Sequence, residues 1–392
     1  MNTEPATHST ATRAQLPPLY AAGFVTAFGA HSIAASLGGY TASGHASLLT
    51  LGLLLAVYDG AEVLLKPVFG SLADRIGPRP VLLAGLVAFA LASAAFVLAG
   101  NPALVGIARL GQGAAAAAFS PAAGALVARL TPGTRHGRAF GSYGAWKGLG
   151  YTSGPLLGGI LITLGGYNLL FAALAVLALV VAIWAAVAVP TVAALPRRRQ
   201  TVLDLARRLT GGSFLRPTLA LAGATAALAV GVGFLPVAGA HHGLGPLATG
   251  AFVSLLAATT ALVQPWAGRA RDAGRIRDEG AMAAGLVSAA VGMSAAALPG
   301  VIGIAVAAVA IGAGAGLVTP IAFAHLAATT PPERLGQTMG AAEVGRELGD
   351  AGGPLLVGAI AVAGTLALGM TGLAVLLAAL GVLIATTSTI AR

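Results

Sequence analysis

Long apolar stretches separated by short polar segments run the whole length of this 392-residue chain. Because a helix needs about 20 apolar residues to cross a hydrocarbon core of about 30 Å, each stretch predicts one transmembrane helix. The twelve predicted helices lie at 16–37, 47–70, 79–99, 103–127, 137–164, 167–191, 216–238, 247–268, 280–299, 301–327, 336–363 and 367–389. We therefore expect an all-α polytopic membrane protein.

Composition supports a lipid bilayer as the environment of the chain. Hydrophobic residues make up 57% of it and charged residues 9%, against about 45–50% and about 25% in soluble domains. The first 15 residues are polar and lack a signal-peptide pattern, so we expect no cleavage there. We expect a multi-pass protein of the cell membrane, either a plasma or an inner membrane.

Positive charges accumulate on one side of the predicted helices, and the loops on the other side contain no lysine or arginine. Cytoplasmic loops are enriched in these residues, so both termini are expected to be cytoplasmic. The net charge of +10 follows from this sidedness, and we expect no nucleic-acid partner. The charged side carries Arg75, Arg79, Arg129, Arg135, Arg138, Arg197, Arg198, Arg199, Arg207, Arg208, Arg216, Arg269, Arg271, Arg275, Arg277 and Arg334.

The second half of the chain repeats the first. GPLLGG at 154–159 recurs as GPLLVG at 353–358, and Lys66-Pro67-x-x-Gly70-x-x-x-Asp74 recurs as Gln264-Pro265-x-x-Gly268-x-x-x-Asp272. The pattern predicts two pseudo-symmetric six-helix domains, a common arrangement in transporters. We place a tail at 1–15, the domains at 16–191 and 216–392, and a linker at 192–215, of which 201–209 is either a surface helix or a solvated segment.

Three motifs in their expected helices identify a family resemblance. Gly70-Ser-Leu-Ala-Asp74-Arg75-Ile-Gly77-Pro-Arg79 lies between helices two and three, Arg109-Leu-Gly-Gln112-Gly113 lies in helix four, and Gly150-x-x-x-Gly154-Pro155-x-x-Gly158-Gly159 lies in helix five. The chain resembles the major facilitator superfamily (MFS) of transporters, which carries these patterns at these places. The resemblance extends over essentially the whole chain and is nearest to proton-coupled efflux members.

The resemblance implies roles for two of these motifs. Asp74, Arg75 and Arg79 are expected to latch helix ends in one conformational state, with Gly70 and Gly77 allowing the tight turn. The second copy at 268–275 is one residue shorter, which weakens its expected role as a latch. The glycines and Pro155 of helix five, together with Gly353 and Pro354 in helix eleven, predict a face on which a helix of the other domain packs closely.

Charged residues within predicted helices form two stripes. Asp59, Glu62 and Lys66 recur at helical spacing in helix two, and Glu343, Arg346, Glu347 and Asp350 do so in helix eleven. Because an ionised group at a helix centre costs about 2.5–3.5 kcal/mol, these groups must be paired, protonated or facing water. The resemblance implies that the two stripes face each other across a central cavity. Lys66 is near a helix end and could instead snorkel to the interface.

The acids allow two interpretations, which can coexist. They bind and release a proton as the cavity changes sides, together with Arg109, Gln112, Lys147 and Arg346, or they form salt bridges that close one face. Lysine can release a proton when buried and arginine cannot. Lys147 therefore either takes part in proton exchange or acts as a fixed counter-ion.

These patterns predict a secondary active transporter that exports a small molecule in exchange for protons. Uptake or facilitated movement of a metabolite or ion is the alternative, and a membrane receptor or enzyme on the same scaffold is a remote one. The chain lacks cysteine and a phosphate-binding GxxxxGK[ST] motif. We expect no cofactor, no metal site, no enzymatic activity and a monomeric protein.

Overall fold

The computed structural model describes residues 14–42, 48–97, 102–194, 210–244, 246–298 and 300–390. Within them the chain forms twelve long helices, which confirms the predicted all-α fold. The possible surface helix at 201–209 lies outside the described residues. The first six are α1 (Pro17–Ala42), α2 (Leu48–Ile76), α3 (Pro78–Val97), α4 (Pro102–Leu130), and α5 (136–164) and α6 (167–188), which share the helical stretch His136–Ala188.

A glycine pair separates α5 from α6. Gly165 and Gly166 have non-helical backbone angles, and Gly166 has a φ of 70°, which glycine adopts without strain. The second half contains α7 (Gly212–His241), α8 (Pro246–Asp272), α9 (Asp278–Ala296), α10 (Val301–Thr329), α11 (Leu335–Ala363) and α12 (Leu366–Ile390). Eight stretches in the described part are long and apolar enough to cross a membrane.

The two halves pack their helices in the same way. In the first half α1 packs on α5, and α4 packs on both α2 and α3; in the second, α7 packs on α11, and α10 packs on both α8 and α9. The stacked rings of Phe96 and Phe171, 4.0 Å apart, join α3 to α6. Alanine and glycine fill most of these contacts, which allows close approach of the helix backbones.

The halves meet mainly through α2 against α11 and α5 against α8. We call one end of the bundle the basic end because its loops, α2–α3, α4–α5, α8–α9 and α10–α11, and the helix ends beside them carry most of the arginines in the described residues. These arginines are Arg75, Arg79, Arg135, Arg138, Arg269, Arg271, Arg275, Arg277 and Arg334.

Candidate functional site

Glycine contacts join the two halves at the basic end. Gly70 of α2 lies so close to Gly336 of α11 that a Cβ atom on either residue would overlap the carbonyl oxygen of the other. Gly137 of α5 and Gly268 of α8 make the same contact. Only residues without a side chain allow this approach. We call these interfaces the α2–α11 seam and the α5–α8 seam.

An aspartate closes each seam by accepting hydrogen bonds from a helix N-terminus of the opposite half. The N–H groups of Gly336 and Gln337 donate to Asp74 at 2.8 Å each. Two N–H groups at the start of α5 donate to Asp272 at 2.8 and 2.7 Å. A helix N-terminus offers unpaired N–H groups and a positive dipole end. The shorter second motif therefore makes the same contact as the first, contrary to what its length suggested.

The other residues of the first loop motif act within their own half. Gly77 ends α2 with a φ of 94°, which permits the tight turn. Arg79 donates to the hydroxyl of Thr191 at 2.7 Å and to the carbonyl of Ala186 at 2.6 Å, both of which lie in the first half. Arg75 is exposed.

Arg129, at the end of α4, approaches the Asp74 carboxylate that closes the α2–α11 seam. Its Nη2 lies 3.9 Å from Asp74 Oδ1 and donates to the carbonyl of Pro332, in the opposite half, at 2.8 Å. Its Nη1 donates to the carbonyl of Ala193 at 3.2 Å. The pairing of aspartate with arginine that the resemblance implies is therefore made by a residue outside the loop motif.

A buried ion network crosses the α2–α11 seam. Nζ of Lys66 lies 2.9 Å from Glu347, 3.7 Å from Glu343 and 3.4 Å from Glu62, and its side chain is 1% exposed. Lys66 therefore does not snorkel to the interface, because α11 covers it. The sequence placed Lys66 in the charged stripe of helix two, but only its contacts with α11 show that it is part of an ion network.

Helix α5 contributes the third side of the network. Nζ of Lys147 lies 3.3 Å from both carboxylate oxygens of Glu343. Nε of Arg346 donates to Glu343 at 3.1 Å, and its other nitrogens contact Glu347 and the hydroxyl of Tyr151. The buried network therefore holds three carboxylates, of Glu62, Glu343 and Glu347, and three bases, of Lys66, Lys147 and Arg346, so that its formal charges balance.

Two further carboxylates lie on the same stripes, farther from the basic end. Asp59 of α2 and Asp350 of α11 are both exposed, in contrast to the network beside them. They lie within electrostatic range of each other. All five predicted intramembrane acids are thus brought together between the halves, with the two aspartates exposed.

Arg109 supports this site from behind α2. It is 1% exposed, and its guanidinium carbon lies 4.3 Å from the centroid of the Tyr58 ring. Its charge acts on Asp59 and Glu62. Gln112 is fully buried, faces Arg109 at 3.4 Å and donates to Ser93 of α3 at 2.8 Å. Gln112 therefore orients Arg109 within the first half and does not face the second half.

The predicted packing partner of the helix-five glycine motif is wrong. Gly150 packs against Ala27 of α1, and Gly158 packs against Ser32 of α1, both within the first half. In the second half Gly353 packs in the same way against Ala226 of α7. The contacts between halves instead use glycines nearer the basic end, because only there do the two halves converge on these helices.

The remaining motif residues differ in their surroundings. A Cβ atom on Gly159 would meet nothing within 4 Å among the described residues. Gly154 is buried, whereas the side chain of Pro155 lies outside the described part. Pro354 continues α11 without ending it. Sequence reasoning missed Tyr58 and Tyr151. The available signals were that Tyr58 directly precedes Asp59 in helix two and that Tyr151 lies one helical turn after Lys147 in helix five.

Comparisons with known proteins agree with this geometry. The chain is 39% identical to the class C tetracycline resistance protein of Escherichia coli over 112 residues, which are 28% of each chain. It is 28% identical to the quinolone resistance protein NorA of Staphylococcus aureus over 111 residues, 28% of this chain and 29% of NorA. The matched segments therefore span less than a third of these relatives.

The fold is matched over much greater length. The human organic anion transporter MFSD10 superimposes with a TM-score of 0.79, covering 95% of this chain and 99% of that one at 18% identity. The Major Facilitator Superfamily profile matches residues 19–302, more than half of the chain. The chain belongs to the Major Facilitator Superfamily, and is thus a multi-pass membrane transporter and not an enzyme.

Proposed function

We propose that the chain exports a small molecule in exchange for protons. The observation that carries this proposal is the buried network of three acids and three bases between the halves, with Asp59 and Asp350 exposed beside it. Carboxylates in a low-dielectric region bind and release protons as their partners move. Titratable groups placed between moving halves can therefore link protonation to a change of shape.

The arginine loops orient the protein. Because cytoplasmic loops accumulate lysine and arginine, we propose that the basic end and both termini are cytoplasmic, in a plasma or inner membrane. Both seams are closed at that end, so this conformation is outward-facing. The halves 16–191 and 216–392 rock as two domains joined by the linker 192–215, and the aspartate latches stabilise the outward-facing state.

Protonation of the network favours the opposite state. While Glu343 and Glu347 are ionised, they hold Lys66 and Lys147 of the first half against α11. A proton on either acid weakens these bonds and lowers the cost of separating the halves. Asp59 and Asp350, which face solvent in this state, are the first acceptors of a proton from outside.

Names of relatives support the export direction. The two curated relatives are resistance proteins for tetracycline and for quinolones, and a membrane transporter can confer resistance by moving a compound out of the cell. Accordingly, we propose a tetracycline, a quinolone or another drug-like organic solute as cargo for this chain. A monomer contains both halves and therefore the complete site.

Flux measurements in vesicles test the proposal. Purified protein reconstituted in liposomes with an imposed pH gradient should move at least one member of a panel containing a tetracycline, a quinolone and diverse metabolites. Collapse of the gradient with a proton ionophore should stop accumulation. Movement of substrate in the same direction as protons would show uptake by symport, and gradient-independent flux would show facilitated transport.

Neutral variants of the acids locate the coupling. We expect Glu347→Gln or Glu343→Gln to abolish proton-driven accumulation, because each removes a carboxylate that several bases share. Glu279→Gln, at the start of α9 and outside the network, is the matched control and should keep wild-type flux. Full proton-driven transport in separate neutral variants of all five acids would refute proton coupling through this site.

A further inference from the structure

The two seams have the same backbone plan. By the internal repeat, Lys66 of α2 corresponds to Gln264 of α8. The carbonyl oxygen of Lys66 lies 2.6 Å from the place of a Cβ atom on Gly340 of α11. The carbonyl of Gln264 lies at the same 2.6 Å from that of Gly141 of α5, which is the repeat counterpart of Gly340. The helices therefore cross in one register at both seams.

Chemistry at this register differs between the seams. Glu343 and Glu347, which hold Lys66, correspond in the repeat to Gly144 and Gly148 of α5. Gln264 is neutral and 5% exposed, and its amide oxygen lies against Gly144. Within the described residues this oxygen has no hydrogen-bond partner. One copy of the crossing is therefore ionic and the other is uncharged.

We infer that Lys66 is the positioning residue through which protonation opens the basic end, and that the crossing at Gln264 opens independently of protons. This inference rests on the proposed proton coupling and deepens it. When α2 and α11 move apart, Lys66 leaves Glu343 and Glu347. The charges it held are then buried and unpaired unless a proton neutralises a carboxylate. Separating Gln264 from Gly144 exposes an amide, whose cost does not depend on pH.

Other charged and titratable groups face Lys66 and its two glutamates. Any of the acids among them can take the proton, while the bases keep the network charged at neutral pH. They are Tyr58, Asp59 and Glu62 of α2, Tyr143, Lys147 and Tyr151 of α5, and Arg346 and Asp350 of α11. Arg109 of α4 lies behind them and acts on Asp59 and Glu62.

Distance measurements across the basic end test the inference without a substrate. The chain has no cysteine, so Arg75→Cys and Pro331→Cys introduce two spin labels, one in each half, into a background without other thiols. In lipid nanodiscs we expect the long-distance population to rise at least about fivefold between about pH 8 and about pH 5 as carboxylates become protonated.

Two variants at repeat-related positions distinguish the contribution of one seam from that of the other. Lys66→Gln places the residue of the second seam into the first. It should raise the open population at high pH and reduce its pH dependence at least several-fold, with the Lys147–Glu343 contact accounting for what remains. Gln264→Ala is the matched control and should keep the wild-type pH dependence, whatever its effect on the equilibrium itself. A wild-type pH response in Lys66→Gln, or its loss in Gln264→Ala, would overturn the inference.

A double variant guards against misfolding of the single one. Lys66→Gln with Glu347→Gln removes one charge of each sign, so no additional buried charge is left unpaired. Its pH dependence should be reduced as strongly as that of Lys66→Gln. If wild-type protein shows proton-driven flux in liposomes but no pH-dependent distance change, this inference fails and the proposed function stands. If the distance change depends on pH but no proton-driven flux is found, the proposed function fails and the role of Lys66 in opening the basic end stands.

Discussion

Asp74 and Asp272 make equivalent contacts although their loops differ in length. Each carboxylate accepts two N–H bonds at 2.7–2.8 Å from a helix N-terminus in the opposite half. Loss of such a cap costs about 0.5–2 kcal/mol. The two aspartates are therefore expected to contribute comparably to the closed state of the basic end, and to do so independently, because they lie at separate seams.

Alanine substitutions test this equivalence. Asp74→Ala and Asp272→Ala should each shift the label pair at positions 75 and 331 towards the open population by about five- to thirty-fold, the equivalent of about 1–2 kcal/mol. Glu279→Ala, an acidic residue at the start of α9, serves as the control and should leave the distances unchanged. A wild-type distribution in Asp272→Ala alone would show that the shorter loop does not latch.

Lys147 acts as a fixed counter-ion in this geometry. Glu343, its partner, also receives Arg346 at 3.1 Å and has Lys66 at 3.7 Å. Each of these contacts depends on the cation keeping its charge, so a Lys147 that gave up its proton would weaken its own bond to Glu343. The positive charge of Lys147, rather than its ability to titrate, is what the network requires.

Conservative and neutral variants of Lys147 separate these roles. Lys147→Arg should keep proton-driven flux within about twofold of wild type, since arginine carries the charge and cannot release its proton. Lys147→Met should lower flux at least several-fold, because the network then holds three acids against two bases. Loss of coupling in Lys147→Arg, with the protein folded and substrate still bound, would instead assign proton exchange to Lys147.

Helices α2, α5, α8 and α11 determine how closely the halves approach. At Gly336 a Cβ atom would meet the carbonyl oxygen of Gly70 and lie 2.8 Å from the carboxylate of Asp74. Gly336→Ala is therefore expected to open the α2–α11 seam and to reduce flux at least several-fold. A Cβ atom at Gly352 on the same helix would meet nothing within 4 Å in the part of the chain that the structure describes, so Gly352→Ala should behave as wild type. The distances between the spin labels and the flux in liposomes are measured for both variants.

Positions of the helices follow from the sequence to within a few residues. The fifth and sixth helices are predicted at 137–164 and 167–191 and are found at 136–164 and 167–188. Apolar runs of spanning length, interrupted by Gly165 and Gly166, are sufficient for this because a helix in lipid must satisfy its own backbone hydrogen bonds. The resemblance in the motifs then supplies the expectation that helices two and eleven face each other, and α2 does pack against α11.

Partners of individual faces do not follow from the sequence. The small residues of α5 predict that some helix approaches closely, but Gly150 meets α1 of the same half, whereas Gly141 meets α8 of the other. Lys66 near a helix end is compatible with snorkelling as well as with burial, and only the position of α11 decides between them. A periodic pattern identifies a face but not what covers it.

The whole molecule combines a shared scaffold with an unequal distribution of charge. Both halves supply a glycine crossing and an aspartate latch, while acids occupy α2 and α11 and are replaced by Gly144, Gly148 and Thr260 at the corresponding positions of α5 and α8. Equal scaffolds allow the halves to rock as a pair. The unequal charges mean that a proton bound at the α2–α11 side acts on one seam, while the cost of opening the other does not depend on protons.

Sidedness of the closed state gives the last prediction. Asp350 is exposed in a conformation whose basic end is shut, so Asp350→Cys should react with a membrane-impermeant thiol reagent added from the side opposite the basic end. Ala273→Cys, exposed in the α8–α9 loop, should react only from the basic side, which in cells is expected to be the cytoplasm. Reaction of both cysteines from one side would contradict the orientation, and reaction of Asp350→Cys only from the basic side would contradict the outward-facing assignment.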